Sequence, residues 1–249
     1  MLIACIALVF IGTYFDSSRR AMISGSVNES VEANLRTGMR TLLDAVRGQG
    51  YGVPATALAN WITWTTYTGN PTIAAGATAS IPDSISVAAC TGNALTTLAS
   101  GAAAGATSLS LAADVSTLLD STAKSVVLLG EAEPLKVTSV SGTSIAVDSD
   151  PSTAGAQGLS RSYPAGTPVC RVDVVTYDVD PTNGLLRVNR YDGAGALPLL
   201  DDIANLKITP TTAGQPQYQI TLTARSSARD PLLRGVLQRS LSATVAPRN

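Results

Sequence analysis

No proline interrupts the first 53 residues, and the hydrophobic spacing over most of that stretch is helical. Residues 1–15, MLIACIALVFIGTYF, carry no charge, and DSSRR follows at 16–20. Beyond it Ile23, Val27, Val31, Leu35, Met39, Leu42 and Val46 recur at steps of four or three. That is one apolar stripe along an α-helix. The opposite face carries Arg20, Glu29, Glu32, Arg36, Arg40, Asp44 and Arg47. Glu32 with Arg36, and Arg40 with Asp44, stand four residues apart and form weak helical ion pairs. The glycine-rich GQGYG at 48–52 offers a left-handed C-cap. The spacing therefore predicts one helix of about 47 residues, about 70 Å long.

Such a helix makes two demands. Its first third is apolar all round and needs an apolar environment, either lipid or a bundle of like helices. Leu2, Ile3, Ile6, Leu8, Val9, Phe10, Ile11, Tyr14 and Phe15 are the candidate residues for that packing. Its remainder is amphipathic and needs a domain folded onto one face; Val27, Val31, Leu35, Met39, Leu42 and Val46 are the candidate contacts. A simple single-pass anchor followed by a stalk is the alternative. A cleaved signal peptide needs a small-residue site after the apolar run, and DSSRR stands there instead. The run rises about 22 Å, short of the ~30 Å hydrocarbon core of a bilayer.

Hydrophobic residues at 45% can bury a core, and charged residues at 14% are too few for a disordered chain. The net charge of −1 leaves no electrostatic footprint for nucleic acid. Histidine is absent, which removes the commonest general base and the commonest metal ligand. Triads built on histidine and most catalytic zinc sites go with it. The expectation is a protein without catalytic activity of its own and without a required cofactor.

Of the three cysteines, Cys5 lies in the apolar run and reads as a small hydrophobe. Cys90 and Cys170 lie in the polar body and can pair outside the cytoplasm; two free thiols are the alternative. The bridge would close a loop of about 80 residues, worth about 4–5 kcal/mol in the chain-entropy model.

After the helix, residues 53–106 show little periodicity and read as a loop-rich connection. They include WITWTTY, with Trp61, Trp64 and Tyr67, read as packing ahead of a binding patch. From residue 107 strand signals recur. Residues 125–129 form a buried-type run, and 135–140 and 143–147 alternate around Ser141-Gly142. Residues 169–179 form a long strand, and Asn183-Gly184 is a hairpin turn. Residues 218–224 and 241–245 complete a meander. The chain divides into a helix (1–52), a connection (53–106), an inserted small β-module (107–168) and a β-sheet (169–249). The fold class is α+β, the helix packing on a C-terminal antiparallel sheet.

Two aspartate-rich turns, DSDPSTAG at 148–155 and DVDPTNG at 178–184, place Asp148 and Asp150, and Asp178, Asp180 and Asn183, where oxygen ligands could hold Ca²⁺. Neither has the glutamate that closes an EF-hand loop, and Asp-Pro and Asn-Gly are ordinary turn chemistry. Ser121 and Lys124 match an S-x-x-K pair, but its companion motifs are missing. Asn28-Glu29-Ser30 is a glycosylation sequon that falls on the predicted helix.

MLIACIALVFIGTYFDSSRR resembles the N-terminal helix of type IV pilins and pseudopilins. LLDAVRGQGYG at 42–52 is similar to the helix end of PilW-type minor pilins. Tyr177 and Leu185-Leu186-Arg187 match the family's strand pair. LLDDIANL at 199–206 is similar to its connecting helix leading into a strand, and residues 240–249 to its last strand. The family carries a short basic leader, a glycine at the cleavage site and a glutamate at the fifth mature position. Cys5 stands there if Met1 is the first mature residue. Setting Met1 as the sixth mature position fits better, so the expectation is that about five residues, including the glutamate, precede this sequence.

The resemblance implies a structural subunit of an extracellular filament, held in the inner membrane before assembly. Its implied partners are copies of itself or other pilins, a prepilin peptidase and the assembly machinery. A minor pilin that primes assembly, or a membrane-anchored adhesin using WITWTTY or the β-module, are the alternatives.

Overall fold

The computed structural model describes residues 2–48, 72–76, 78, 80–90, 94–119, 126–130, 133–190, 194–211, 217–232 and 235–246. One continuous helix, α1 (Leu2–Gly48), takes up the whole N-terminal periodic stretch. The cap region beyond Gly48 lies outside the described residues.

Ten strands make one sheet: β1 (Thr72–Ala74), β2 (Ser84–Cys90), β3 (Thr96–Thr97), β4 (Ser108–Ser110), β5 (Val126–Leu129), β6 (Glu133–Ser141), β7 (Ser144–Asp148), β8 (Pro168–Asp180), β9 (Leu185–Asn189) and β10 (Ala196–Leu200). Three more, β11 (Ile203–Pro210), β12 (Tyr218–Asp230) and β13 (Gly235–Val245), form a separate meander. The pairings are antiparallel. The architecture is α+β, one N-terminal helix packed on an antiparallel β domain.

The hairpins form where their turn residues demand it. Gly142, between β6 and β7, and Gly184, between β8 and β9, both sit at positive φ, which costs glycine nothing. The Asp180 carboxylate accepts the N–H groups of Thr182 and Asn183, closing the second turn.

β8 organises the sheet. Its start pairs with β3 and β5, its middle with β2, and its end with β9. It also joins two hydrophobic cores. One gathers Val31, Leu35, Met39, Leu42 and Val46 of α1 with Ile85, Val179, Leu186, Ile203, Leu206, Ile220 and Leu222. The other lies within the β-module and includes Leu98, Leu109, Val127, Leu135, Ile145, Tyr163 and Val169. A disulfide joins Cys90 on β2 to Cys170 on β8, with Cα atoms 5.9 Å apart.

Gly38 lies on the buried face of α1, where a Cβ would meet Leu222 Cδ2 at 2.8 Å and Leu200 Cδ1 at 3.1 Å. A glycine inside a helix costs about 1 kcal/mol in propensity, and here it lets the helix approach the sheets closely.

Three sequence expectations are corrected. The stretch 53–106 contains β1, β2 and β3, and five consecutive residues of β2 are buried. A strand covered on both faces shows no alternation, and the Ser-Ala composition of SISVAAC hid it further. The β-module draws its core from Leu98 onward, ahead of residue 107. Residues 199–206 form no helix: β10 runs into β11 through Asp201-Asp202, with Asp202 at φ 62°. Two residues between strands leave no room for a helical turn.

Asp83 ties the β1–β2 loop to β11. Its carboxylate accepts N–H from Gly76 and Ile208, each at 2.8 Å, and the Lys207 ammonium at 3.0 Å. Burial pushes its pKa up, but these donors outweigh burial and hold it below the usual carboxylate value. Its stabilising effect is therefore complete above the unfolded pKa of about 3.9 and is lost as pH falls through the lower folded value. Asp83→Asn should lower stability by about 2–3 kcal/mol at neutral pH. The gap should shrink well below pH ~4. Thermal melting of both proteins at the two pH values checks this, and an unchanged gap would contradict it.

Candidate interaction surface

α1 changes character along its length. Val31, Leu35, Met39, Leu42 and Val46 are buried in the first core, and Val27 is half-buried. The polar stripe holds Glu32–Arg36 at 3.3 Å and Arg40–Asp44 at 3.7 Å. Both pairs are exposed and contribute a few tenths of a kcal/mol each. Glu32 also meets Arg239 on β13 at 2.8 Å, fixing the helix against the meander.

The contact with the domain reaches back to Ser24. Its hydroxyl donates to Asp230 Oδ2 at 2.6 Å, and Oδ1 of the same carboxylate accepts the Leu232 N–H at 2.7 Å. Asp230 is buried at the end of β12. One turn further along, Asn28 faces this junction with its Oδ1 buried, while Glu29 and Ser30, the rest of the sequon, are exposed. Sequence reasoning missed the Ser24–Asp230 pair, whose members stand 206 residues apart.

Ahead of Ser24, residues 10–23 are all exposed. Phe10 is 71%, Ile11 53%, Tyr14 72%, Phe15 67% and Met22 74% exposed. At about 100° per residue these side chains spread over an arc of about 140° on the helix circumference. Tyr14 and Phe15 touch edge to face, with ring centroids 6.3 Å apart. Residues 2–9 continue the helix, and their side chains lie outside the described set. Asp16 and Arg20 form a 2.6 Å ion pair where the apolar run ends. Among the described residues no helix is long and apolar enough to cross a membrane.

The aspartate turns hold themselves together. Asp148 Oδ1 accepts N–H from Asp150 and Gln157, each at 3.0 Å. Asp150 is held below the usual carboxylate range first by the Ser152 hydroxyl and then by Thr153. Asp180 is lowered first by the Asn183 side-chain amide, at 2.9 Å. Arg187 binds Asp178 at 2.7 Å and Asp180 at 3.3 Å. The two turns are closed by separate sets of partners. Among the described residues, no three acidic or cysteine side chains gather as a metal site. Trp61, Trp64, Tyr67, Ser121 and Lys124 lie outside the described residues.

These features define an α+β protein in which, among the described residues, one long helix is covered by its own domain along its second half and uncovered over residues 10–23. Comparison with family models, curated proteins and solved structures finds no match for the chain.

Proposed function

We propose that the chain is a structural subunit of an extracellular type IV pilus-like filament, held in a membrane by α1 before assembly and by packing of like helices afterwards. It acts by assembly and not by catalysis. One observation carries the reading: the helix projects a large apolar surface beyond the domain that covers its second half. Burying a side chain the size of Phe10, Ile11 or Phe15 is worth about 1.5–3 kcal/mol. That surface therefore favours an apolar partner, and identical helices gathered on an axis supply one from several sides.

The domain fixed to the second half by Leu35, Leu42 and the Glu32–Arg239 pair would decorate the outside of such a bundle. Electron microscopy of purified filaments, with mass spectrometry of their subunits, tests this. The expected density shows residues 10–15 inside a core of helices. Filaments lacking the chain, or a chain with Phe10 and Phe15 facing solvent, would sink the reading.

A further inference from the structure

Most sheet edges in this protein are guarded. β1, β3 and β4 are two or three residues long. β10 carries Pro198 and a register shift. On β11 the Asp83 loop covers the outer groups: Asp83 N–H donates to Leu206 O at 2.8 Å, and its carboxylate accepts Ile208 N–H at 2.8 Å. Short length, proline, irregularity and a covering loop are the usual defences of an edge. β13 has none of them. It is 11 residues long, contains no proline, and pairs regularly with β12 from Gln238 to Val245. Among the described residues no strand lies on its outer side. Its one charged residue, Arg239, is turned to Glu32.

The backbone groups on that side can be named. Leu237 N–H donates inward, to Ser226 Oγ at 3.0 Å. Backbone direction alternates along a strand, so the N–H and C=O groups of Gln238, Ser240, Ser242 and Thr244 point away from β12. The register across the sheet agrees. Leu241 stands opposite Leu222, and Leu222 opposite Leu206. With Leu241 and Leu222 bonded to each other, Leu206 must face outward, as its bond from Asp83 shows. The side chains of the four outward residues are exposed on the face away from α1, where Ser240 and Ser242 pair with Thr223 and Thr221 at 2.8 Å. On the other face a groove of about 220 Å³ opens between Leu35 and Arg36 of α1 and Arg239 and Leu241 of β13. Arg36 and Arg239 share one carboxylate, Glu32, at 3.3 and 2.8 Å, which leaves one positive charge in excess.

We propose that the outer edge of β13 accepts an extended strand of another protein, added antiparallel to it. The guest carries small hydroxyl side chains on one face, and apolar side chains with an acidic residue on the other. Four outward residues offer about eight backbone hydrogen bonds, and an extended chain is the partner that satisfies them in a row. Residues directly opposite share a face. The guest's hydroxyl residues therefore extend the Ser–Thr pairs and also carry the N–H groups that bond β13. Its alternate residues enter the groove beside Leu35, where the acid meets Arg36 and Arg239. The site needs only the folded domain and not a filament.

The full chain in neutral detergent micelles is titrated with a labelled synthetic peptide, Thr-Val-Thr-Asp-Thr-Val-Thr, and binding is read by fluorescence anisotropy. Hydrogen exchange should slow at Gln238, Ser240, Ser242 and Thr244. It should stay unchanged at Arg239, Leu241 and Ala243, whose N–H groups already bond β12. Replacing the peptide's Asp with Lys should weaken binding about fivefold. N-methylating its inner threonines should weaken binding at least about tenfold, and N-methylating its valines should not. Ser242→Pro removes one outward N–H at an edge position that tolerates proline. It should weaken binding about fivefold or more with the thermal melt unchanged. Where it lowers the melt, the methylated peptides decide. No binding of the aspartate peptide, equal binding of the lysine peptide, or indifference to which residues are methylated overturns the proposal. Protection of the four amides without peptide overturns it as well. If that protection grows with protein concentration, the edge is a contact between copies; if it is constant, the chain itself covers the edge.

Discussion

If the chain assembles as proposed, Ile11→Arg should abolish its incorporation into filaments while leaving the β domain folded. Ile11 is exposed on the isolated chain, so the substitution removes no internal contact and leaves no cavity. Its cost arises only when an apolar partner covers the position. There the chain forgoes about 1.5–3 kcal/mol of isoleucine burial. It also places a guanidinium in an apolar core, at about 2.5–3.5 kcal/mol. The sum, about 4–6.5 kcal/mol, corresponds to a loss of about a thousandfold or more in incorporation. Ser17→Asn, polar in both forms, is the matched control and should assemble. Filament yield, measured beside the thermal melt of the same proteins, decides the matter. Assembly that survives Ile11→Arg would remove the main physical support for a filament core built from α1.

Leu42→Asp has the opposite signature: the domain itself unfolds. Leu42 is fully buried in the core shared by α1 and the strands. Losing a buried leucine side chain costs about 3–5 kcal/mol in transfer and cavity terms. An unpaired carboxylate placed there adds its own desolvation penalty. The total exceeds about 5 kcal/mol, comparable to the whole stability of an ordinary domain. The expected result, for a chain beginning at Ser26, is loss of the cooperative thermal transition. Leu42→Met, which nearly conserves volume, should cost less than about 1.5 kcal/mol. A cooperative melt for Leu42→Asp within a few degrees of the parent would show that α1 is not part of the core.

What was legible in the sequence is what repeats locally. The i, i+3, i+4 stripe from Ile23 to Val46 was readable because a helix presents one face to its domain. The hairpins at Gly142 and Asn183-Gly184 were readable because their turns require particular residues. β2 was not, because a strand covered on both faces loses its alternation. The candidate surface was half legible. The sequence marked residues 1–15 as apolar, but it could not say where the domain stops covering the helix. That boundary is set by Ser24 and Asp230, 206 residues apart, and neither is unusual in its own neighbourhood.

The sequence by itself determined one long helix, apolar then amphipathic, because 3.6-residue periodicity depends only on near neighbours. It also determined that any chemistry here must proceed without histidine. Only the tertiary structure decided that β8 serves two cores, that Asp83 holds a loop through Lys207, and that the end of β12 stands beside Ser24 of the helix. Those are contacts between residues far apart in the chain, and they are chosen by which faces remain to be buried once the local elements have formed.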